Sequence, residues 1–288
     1  MPHSPLISAE QLQQAQASGA PLLILDGSFD LGNPANGHKA FLEEHVPGAV
    51  HVDLDSELST SEEEGASGGR HPLPQREQVA RWAAQKGLSP DTLVVVYDRN
   101  RMNFVGRLWW MLRWIGHANV KVLDGGLQAW KAAGFATASG EEPPRAPGSF
   151  TLQAPLVKLV DTHYVSRHLG SPGHALVDAR APERYRGEVE PLDAVAGHIP
   201  GALNRPFGTN LREDGRFKSP AELRAEFEAL LGDRLGQAEV IHYCGSGVSA
   251  TPNVLAMEIA GLPPASLYAG SWSEWSRRAD LPKATGAD

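Results

Sequence analysis

A single cysteine stands among the 288 residues, in the run His242-Tyr243-Cys244-Gly245-Ser246-Gly247-Val248-Ser249-Ala250. The apolar residues before it read as a strand and those after it as a helix, which puts the thiol on a strand-to-helix loop. In an open parallel sheet, ligands bind outside the carboxyl ends of the strands. Gly245 and Gly247 let the backbone curl so that successive N–H groups turn inward as an anion nest, and the following helix adds its positive end. Such a setting lowers a thiol pKa and stabilises a thiolate or persulfide anion. Cys244 is therefore read as a nucleophile and not as a small core residue.

Three other chemistries overlap this loop. Gly245-Ser246-Gly247-Val248-Ser249-Ala250 fits the spacing of a dinucleotide-binding turn, but the next strand ends Leu267-Tyr268-Ala269-Gly270 without the acid that such a site uses on the ribose. A cysteine phosphatase loop holds its oxyanion with an arginine six residues after the thiol, and that position is Ala250. His242 could serve a Cys–His hydrolase, yet two alternate residues of one strand offer no base geometry.

The elements that must carry this loop are written twice. Leu23-Ile24-Leu25-Asp26 resembles Leu176-Val177-Asp178, and His45-Val46-Pro47-Gly48-Ala49 resembles His198-Ile199-Pro200-Gly201-Ala202. Val94-Val95-Val96-Tyr97-Asp98 matches Val240-Ile241-His242-Tyr243-Cys244, and Leu123–Trp130 matches Tyr268–Trp275. Four ordered matches at similar offsets mark two homologous domains. Short buried strands are expected at Leu22–Leu25, Leu93–Tyr97, Val120–Leu123, Ala175–Val177, Val240–Tyr243 and Ser266–Tyr268. Helices are expected at Gln75–Gln85, Val105–Ile115, Pro220–Leu231 and Val248–Ala260. Their alternation predicts an α/β fold with a mostly parallel sheet in each copy. The division expected along the chain is 1–137, a linker at 138–157 rich in Pro and small residues, and 158–288. Ser59–Gly69, with three glutamates among Ser and Gly, reads as a solvated loop. Trp109, Trp110 and Trp114 fall at helical spacing and read as packing residues.

Composition excludes several classes. One cysteine allows no intramolecular disulfide and no thiolate cluster. A net charge of −8 argues against a nucleic-acid surface. No apolar run approaches a membrane span, and the N-terminus has no signal-peptide pattern, so a cytoplasmic protein is expected. No cofactor or metal is expected.

The loop Cys244–Ala250 resembles the active loop of the 3-mercaptopyruvate sulfurtransferases of the rhodanese superfamily, C-G-[ST]-G-V-T-A, with Ser249 in place of Thr. Both H-[IV]-P-G-A motifs, the duplication and Gly270-Ser271-Trp272-Ser273-Glu274-Trp275 agree with that family. The resemblance implies two rhodanese-like domains, with the first catalytically silent because Asp98 stands in the cysteine position. It implies sulfur transfer from 3-mercaptopyruvate to a thiol or cyanide through a Cys244 persulfide. The persulfide would be held by the backbone of Gly245, Ser246, Gly247, Val248, Ser249 and Ala250. Thiosulfate is the alternative donor, and a non-enzymatic sulfur carrier is the alternative of another class.

The same resemblance assigns a proton relay to Ser246, His71 (in His71-Pro72-Leu73-Pro74) and Asp55 (in Asp53-Leu54-Asp55). It places Arg184, in Asp178-Ala179-Arg180-Ala181-Pro182-Glu183-Arg184-Tyr185, at the donor carboxylate, whereas Arg180 reads as a structural ion pair at a strand end. The family usually carries a second arginine nine residues after the first, and Asp193 stands there. Arg186, Arg205 and Arg101 are the candidates to replace it. His45 and His198 recur in both copies, one of which has no thiol, and so are read as structural.

Overall fold

A computed structural model describes residues 4–287. They form two compact units, each discontinuous in sequence. The first comprises residues 4–60, 74–156 and 211–217, and the second residues 61–73, 157–210 and 218–287. Residues 141–155 carry no regular element. They are tied within the first unit by the amides of Gly148, Phe150 and Gln153, which donate to the carbonyls of Ala84, Leu88 and Ile115.

The first unit holds strands β1 (Leu6–Ile7), β2 (Leu22–Asp26), β3 (Ala49–His51), β4 (Leu93–Tyr97) and β5 (Val120–Leu123), in the spatial order β1-β5-β4-β2-β3. The second holds β6 (Lys158–Val160), β7 (His174–Asp178), β8 (Leu203–Asn204), β9 (Glu239–Tyr243) and β10 (Ser266–Tyr268), in the order β6-β10-β9-β7-β8. The orders are identical, and every pairing is parallel. Register repeats too, with Asp26 opposite Tyr97 and Asp178 opposite Tyr243. The central strands read as continuous apolar runs because helices cover both faces of such a sheet. Val94, Val95, Val96 and Tyr97 are wholly buried.

Each unit has its own core. Ile24, Phe41, Val95, Tyr97 and Trp130 pack in the first. Ile241, Tyr243, Tyr268, Trp272 and Trp275 pack in the second. Truncating one such aromatic to Ala costs about 3–5 kcal/mol. The three tryptophans of helix Val105–Trp114 are buried in the first unit. Helix Pro220–Leu231 begins with a reciprocal capping box, in which Glu222 N donates to Ser219 Oγ and Ser219 N donates to Glu222 Oε2.

Two expectations need correction. The helix expected at Val248–Ala260 runs from Thr251 to Ile259, because Gly247 adopts a left-handed conformation (φ 74°) and residues 245–250 form the loop itself. Ser59–Gly69 is not simply solvated. Its glutamates are exposed, but Glu62 accepts from Gly69 N and pairs with Arg277. A Cβ at Gly69 would stand 2.6 Å from the Gly270 carbonyl oxygen, so the glycine there permits a close backbone approach.

Candidate active site

The carboxyl end of β9 delivers Cys244, and the thiol residue is almost fully buried at 2% exposure. Its backbone is clamped by the turn after β10. Cys244 N donates to Ser271 Oγ (3.1 Å), Trp272 N donates to the Cys244 carbonyl (3.0 Å), and Ser273 N donates to that of Gly245 (2.8 Å). Ser271 takes a left-handed φ of 55°, costly for a residue with a side chain, while its hydroxyl donates to Tyr268 O at 2.9 Å. Gly247 must be glycine, since a Cβ there would lie 2.3 Å from the Ala269 carbonyl oxygen. Val248 O accepts from Thr251 N and Thr251 Oγ1, which closes the loop onto the following helix. Among the described residues, no acceptor takes the amides of Gly245, Ser246, Gly247 or Val248.

Two of the three residues expected to form a relay meet in the second unit. His71 Nδ1 lies 2.7 Å from Ser246 Oγ, with both residues 7% exposed. Whichever tautomer the imidazole holds, one partner donates and the other accepts. Asp55 belongs to the first unit, where burial and the neighbouring Asp53 push its carboxyl above the usual range.

Arg184 lies beside the loop. Its Nη1 and Nη2 are 3.6 and 3.7 Å from where a Cβ on Gly245 would stand. Nη2 also pairs with Glu190 (2.7 Å), whose carboxyl is held low by the Arg184 pairing and by loop amides in spite of burial. Arg180 is spent on structure: it binds Asp178, Glu190 and the Gly197 carbonyl, and its guanidinium lies 5.0 Å from the Trp272 ring centre.

Of the three candidates for a second arginine, Arg186 and Arg205 lie in the second unit and are taken up by other partners there. Arg186 is paired with Glu188, and Arg205 binds Asn210 and Glu226 over the Phe227 ring. Arg101 belongs to the first unit, where it donates to the carbonyls of Arg212 and Glu213. The arginine that does lie at the loop is Arg70, which sequence reasoning missed. Its Nη2 is 3.2 Å from the Gly245 Cβ position, and its Nη1 binds Asp193 at 2.7 Å. No local pattern marks it, since its place at the loop goes with an ion pair to Asp193, 123 positions away.

His242 turns into the core. Nε2 lies 3.2 Å from Met257 Sδ, and burial pushes the imidazole pKa down to about 3. The motif histidines stack in matching ways. His45 lies on Phe41 with Nδ1 2.8 Å from the Phe41 carbonyl, and His198 lies on Tyr185 with Nδ1 2.8 Å from that carbonyl. Among the described residues, no group of three or more His, Cys, Asp or Glu is arranged to hold a metal, and no helix is long and apolar enough to cross a membrane.

Two parallel sheets of identical strand order, one of which presents a cysteine on a glycine-rich loop, define a tandem α/β protein with a thiol centre. Rhodanese-like domains match residues 8–133 and 161–278, and the chain belongs to the rhodanese family. It is 47% identical over 287 residues to a "Probable 3-mercaptopyruvate sulfurtransferase" of Pseudomonas aeruginosa, covering 99% of this chain and 100% of that one. It is 37% identical to the thiosulfate sulfurtransferase of Bos taurus, covering 95% and 92% of the two chains. The crystal structure of SseA from Escherichia coli, one of the 3-mercaptopyruvate sulfotransferases, superposes with a TM-score of 0.80 at 30% identity, over 94% of this chain and 100% of that one.

Proposed function

We propose that this protein is a sulfurtransferase that moves sulfur from 3-mercaptopyruvate to a thiol or cyanide through a persulfide on Cys244. The Cys244 thiolate attacks the donor sulfur, and the carbon–sulfur bond breaks with its electron pair passing to carbon. The products are a cysteine persulfide and the enolate of pyruvate, which gains one proton to become pyruvate. An acceptor thiolate or cyanide then attacks the outer sulfur and releases Cys244 as thiolate, giving ping-pong kinetics. The loop amides supply hydrogen bonds for the persulfide anion.

The observation that carries this reading is the 2.7 Å contact of His71 with Ser246, two residues after the thiol. A proton relay beside the nucleophile serves a donor whose leaving group must be protonated on carbon. Thiosulfate leaves as sulfite, which needs no such proton. It remains the second reading because the bovine relative carries that name.

Steady-state rates with the two donors separate these readings. The expected result is a higher kcat/KM for mercaptopyruvate, with His71→Ala lowering that value by about 100-fold and the thiosulfate value by much less. A thiosulfate kcat/KM above that for mercaptopyruvate overturns the donor assignment, and equal losses on both donors overturn the relay.

A further inference from the structure

We propose that Arg70 is the second donor-binding arginine of this site, closing a two-guanidinium clamp with Arg184 on the carboxylate of the sulfur donor. The proposal rests on the sulfurtransferase reading above and deepens it. Two cations converge on one face of Gly245, the residue after the nucleophile. Arg70 Nη2 stands 3.2 Å from the point where a Cβ would project, and Arg184 Nη1 stands 3.6 Å from it. The glycine leaves that space to the guanidiniums and to whatever anion they hold.

Their placement is built from the chain around them. The Arg70 amide donates to Ser273 Oγ (3.0 Å), in the turn that clamps Cys244. Asp193 reaches both cations, with Oδ1 2.7 Å from Arg70 Nη1 and Oδ2 3.6 Å from Arg184 Nη2. The Asp193 side chain is only 8% exposed, and its own amide donates to Glu190 Oε1 (3.1 Å), so it is a fixed post. Arg184 Nε is buried without a hydrogen-bond partner, which leaves a donor unspent.

This arrangement accounts for the aspartate at a position where an arginine is expected. A carboxylate at 193 cannot bind an anionic donor, but it can hold an arginine that arrives from a remote segment. The pair Arg70–Asp193 therefore keeps one cation at the loop while moving it from residue 193 to residue 70. A planar guanidinium suits a carboxylate better than an ammonium because it offers two parallel donors. In this clamp Arg70 touches the donor, and Asp193 is a positioning residue.

The test uses the full-length protein with mercaptopyruvate as donor, cyanide as acceptor and pyruvate as a competing carboxylate. Arg70→Gln is expected to raise the KM for mercaptopyruvate by about 10- to 100-fold and to weaken pyruvate inhibition in parallel, with a kcat change of less than about threefold. Arg70→Lys, which keeps the charge and loses the fork, should fall between wild type and Arg70→Gln. Asp193→Asn should raise KM by a smaller factor. A KM and pyruvate inhibition constant within twofold of wild type in folded Arg70→Gln overturn the clamp. So does a lowered kcat with KM unchanged in Arg70→Lys. Failure of the wild-type protein to turn over mercaptopyruvate strikes the functional reading instead, which distinguishes the two failures.

Discussion

The loops after β4 and β9 have the same length and opposite chemistry. Asp98 and Cys244 each follow the central strand of a five-stranded sheet, and each is followed, seven positions on, by the first residue of a helix, Val105 or Thr251. The backbone turns the same way at one position, since Arg101 and Gly247, three residues into each loop, are both left-handed (φ 56° and 74°), while Met102 (φ 64°) has no left-handed counterpart at Val248. In the first loop the carboxylate of Asp98 occupies the nest. Its oxygens accept from the amides of Asn100, Met102, Phe104 and Val105 at 2.9–3.0 Å. Burial pushes its carboxyl above the usual range while those four amides pull it back. In the second loop, among the described residues, no acceptor takes the amides of Gly245 to Val248. One nest is closed by its own side chain, and the other is the loop in which the proposed Cys244 persulfide would sit.

Removing the internal anion breaks this comparison most severely. Asp98→Ala strands three buried amides and one partly buried one and is expected to destabilise the protein by about 4 kcal/mol, read as the free energy of urea unfolding. A loss below about 1 kcal/mol would mean that the first nest does not depend on its carboxylate. A smaller effect is expected from Gly247→Ala, about 3 kcal/mol from the left-handed strain and the clash with the Ala269 carbonyl, with sulfur transfer falling by about 100-fold as the loop shifts. Retained turnover in that variant would show that the loop tolerates another backbone path.

The smallest effect at neutral pH concerns the strands before the loops, where Val96 in the first copy stands in the place of His242 in the second. The folded pKa of His242 is depressed from 6.5 to about 3, so the unfolded chain binds the extra proton between those values. Stability is full above about pH 6.5 and falls as pH drops toward 3, with a limiting slope of about 1.4 kcal/mol per pH unit. His242→Val makes the two strands alike and should flatten the pH dependence of thermal unfolding over pH 4–6. An unchanged slope would place the acid sensitivity elsewhere.

The central strands and the duplication were legible because Leu93–Tyr97 and Val240–Tyr243 are unbroken buried runs that repeat in order. The strands β1, β3, β6 and β8 were not. Each is only two or three residues long and at or near a sheet edge, too short for any periodicity to develop. At the site, the cysteine loop was legible in its glycine spacing, whereas the His71–Ser246 pair was expected only through the resemblance to the mercaptopyruvate sulfurtransferases. Arg70 could not be anticipated, since its role depends on an ion pair with Asp193 across 123 positions, which no local pattern encodes. The aspartate at 193 looked like a lost cation until the structure supplied its partner.

The central claim is that Cys244 alone carries the transferred sulfur, whereas the Asp98 loop carries none. Intact-protein mass spectrometry after exposure to mercaptopyruvate without acceptor tests it most directly. The wild-type protein should gain the mass of one sulfur atom, discharged by cyanide, and Cys244→Ser should gain none and lose turnover by at least about 1,000-fold. Added sulfur or undiminished turnover in Cys244→Ser would contradict the account.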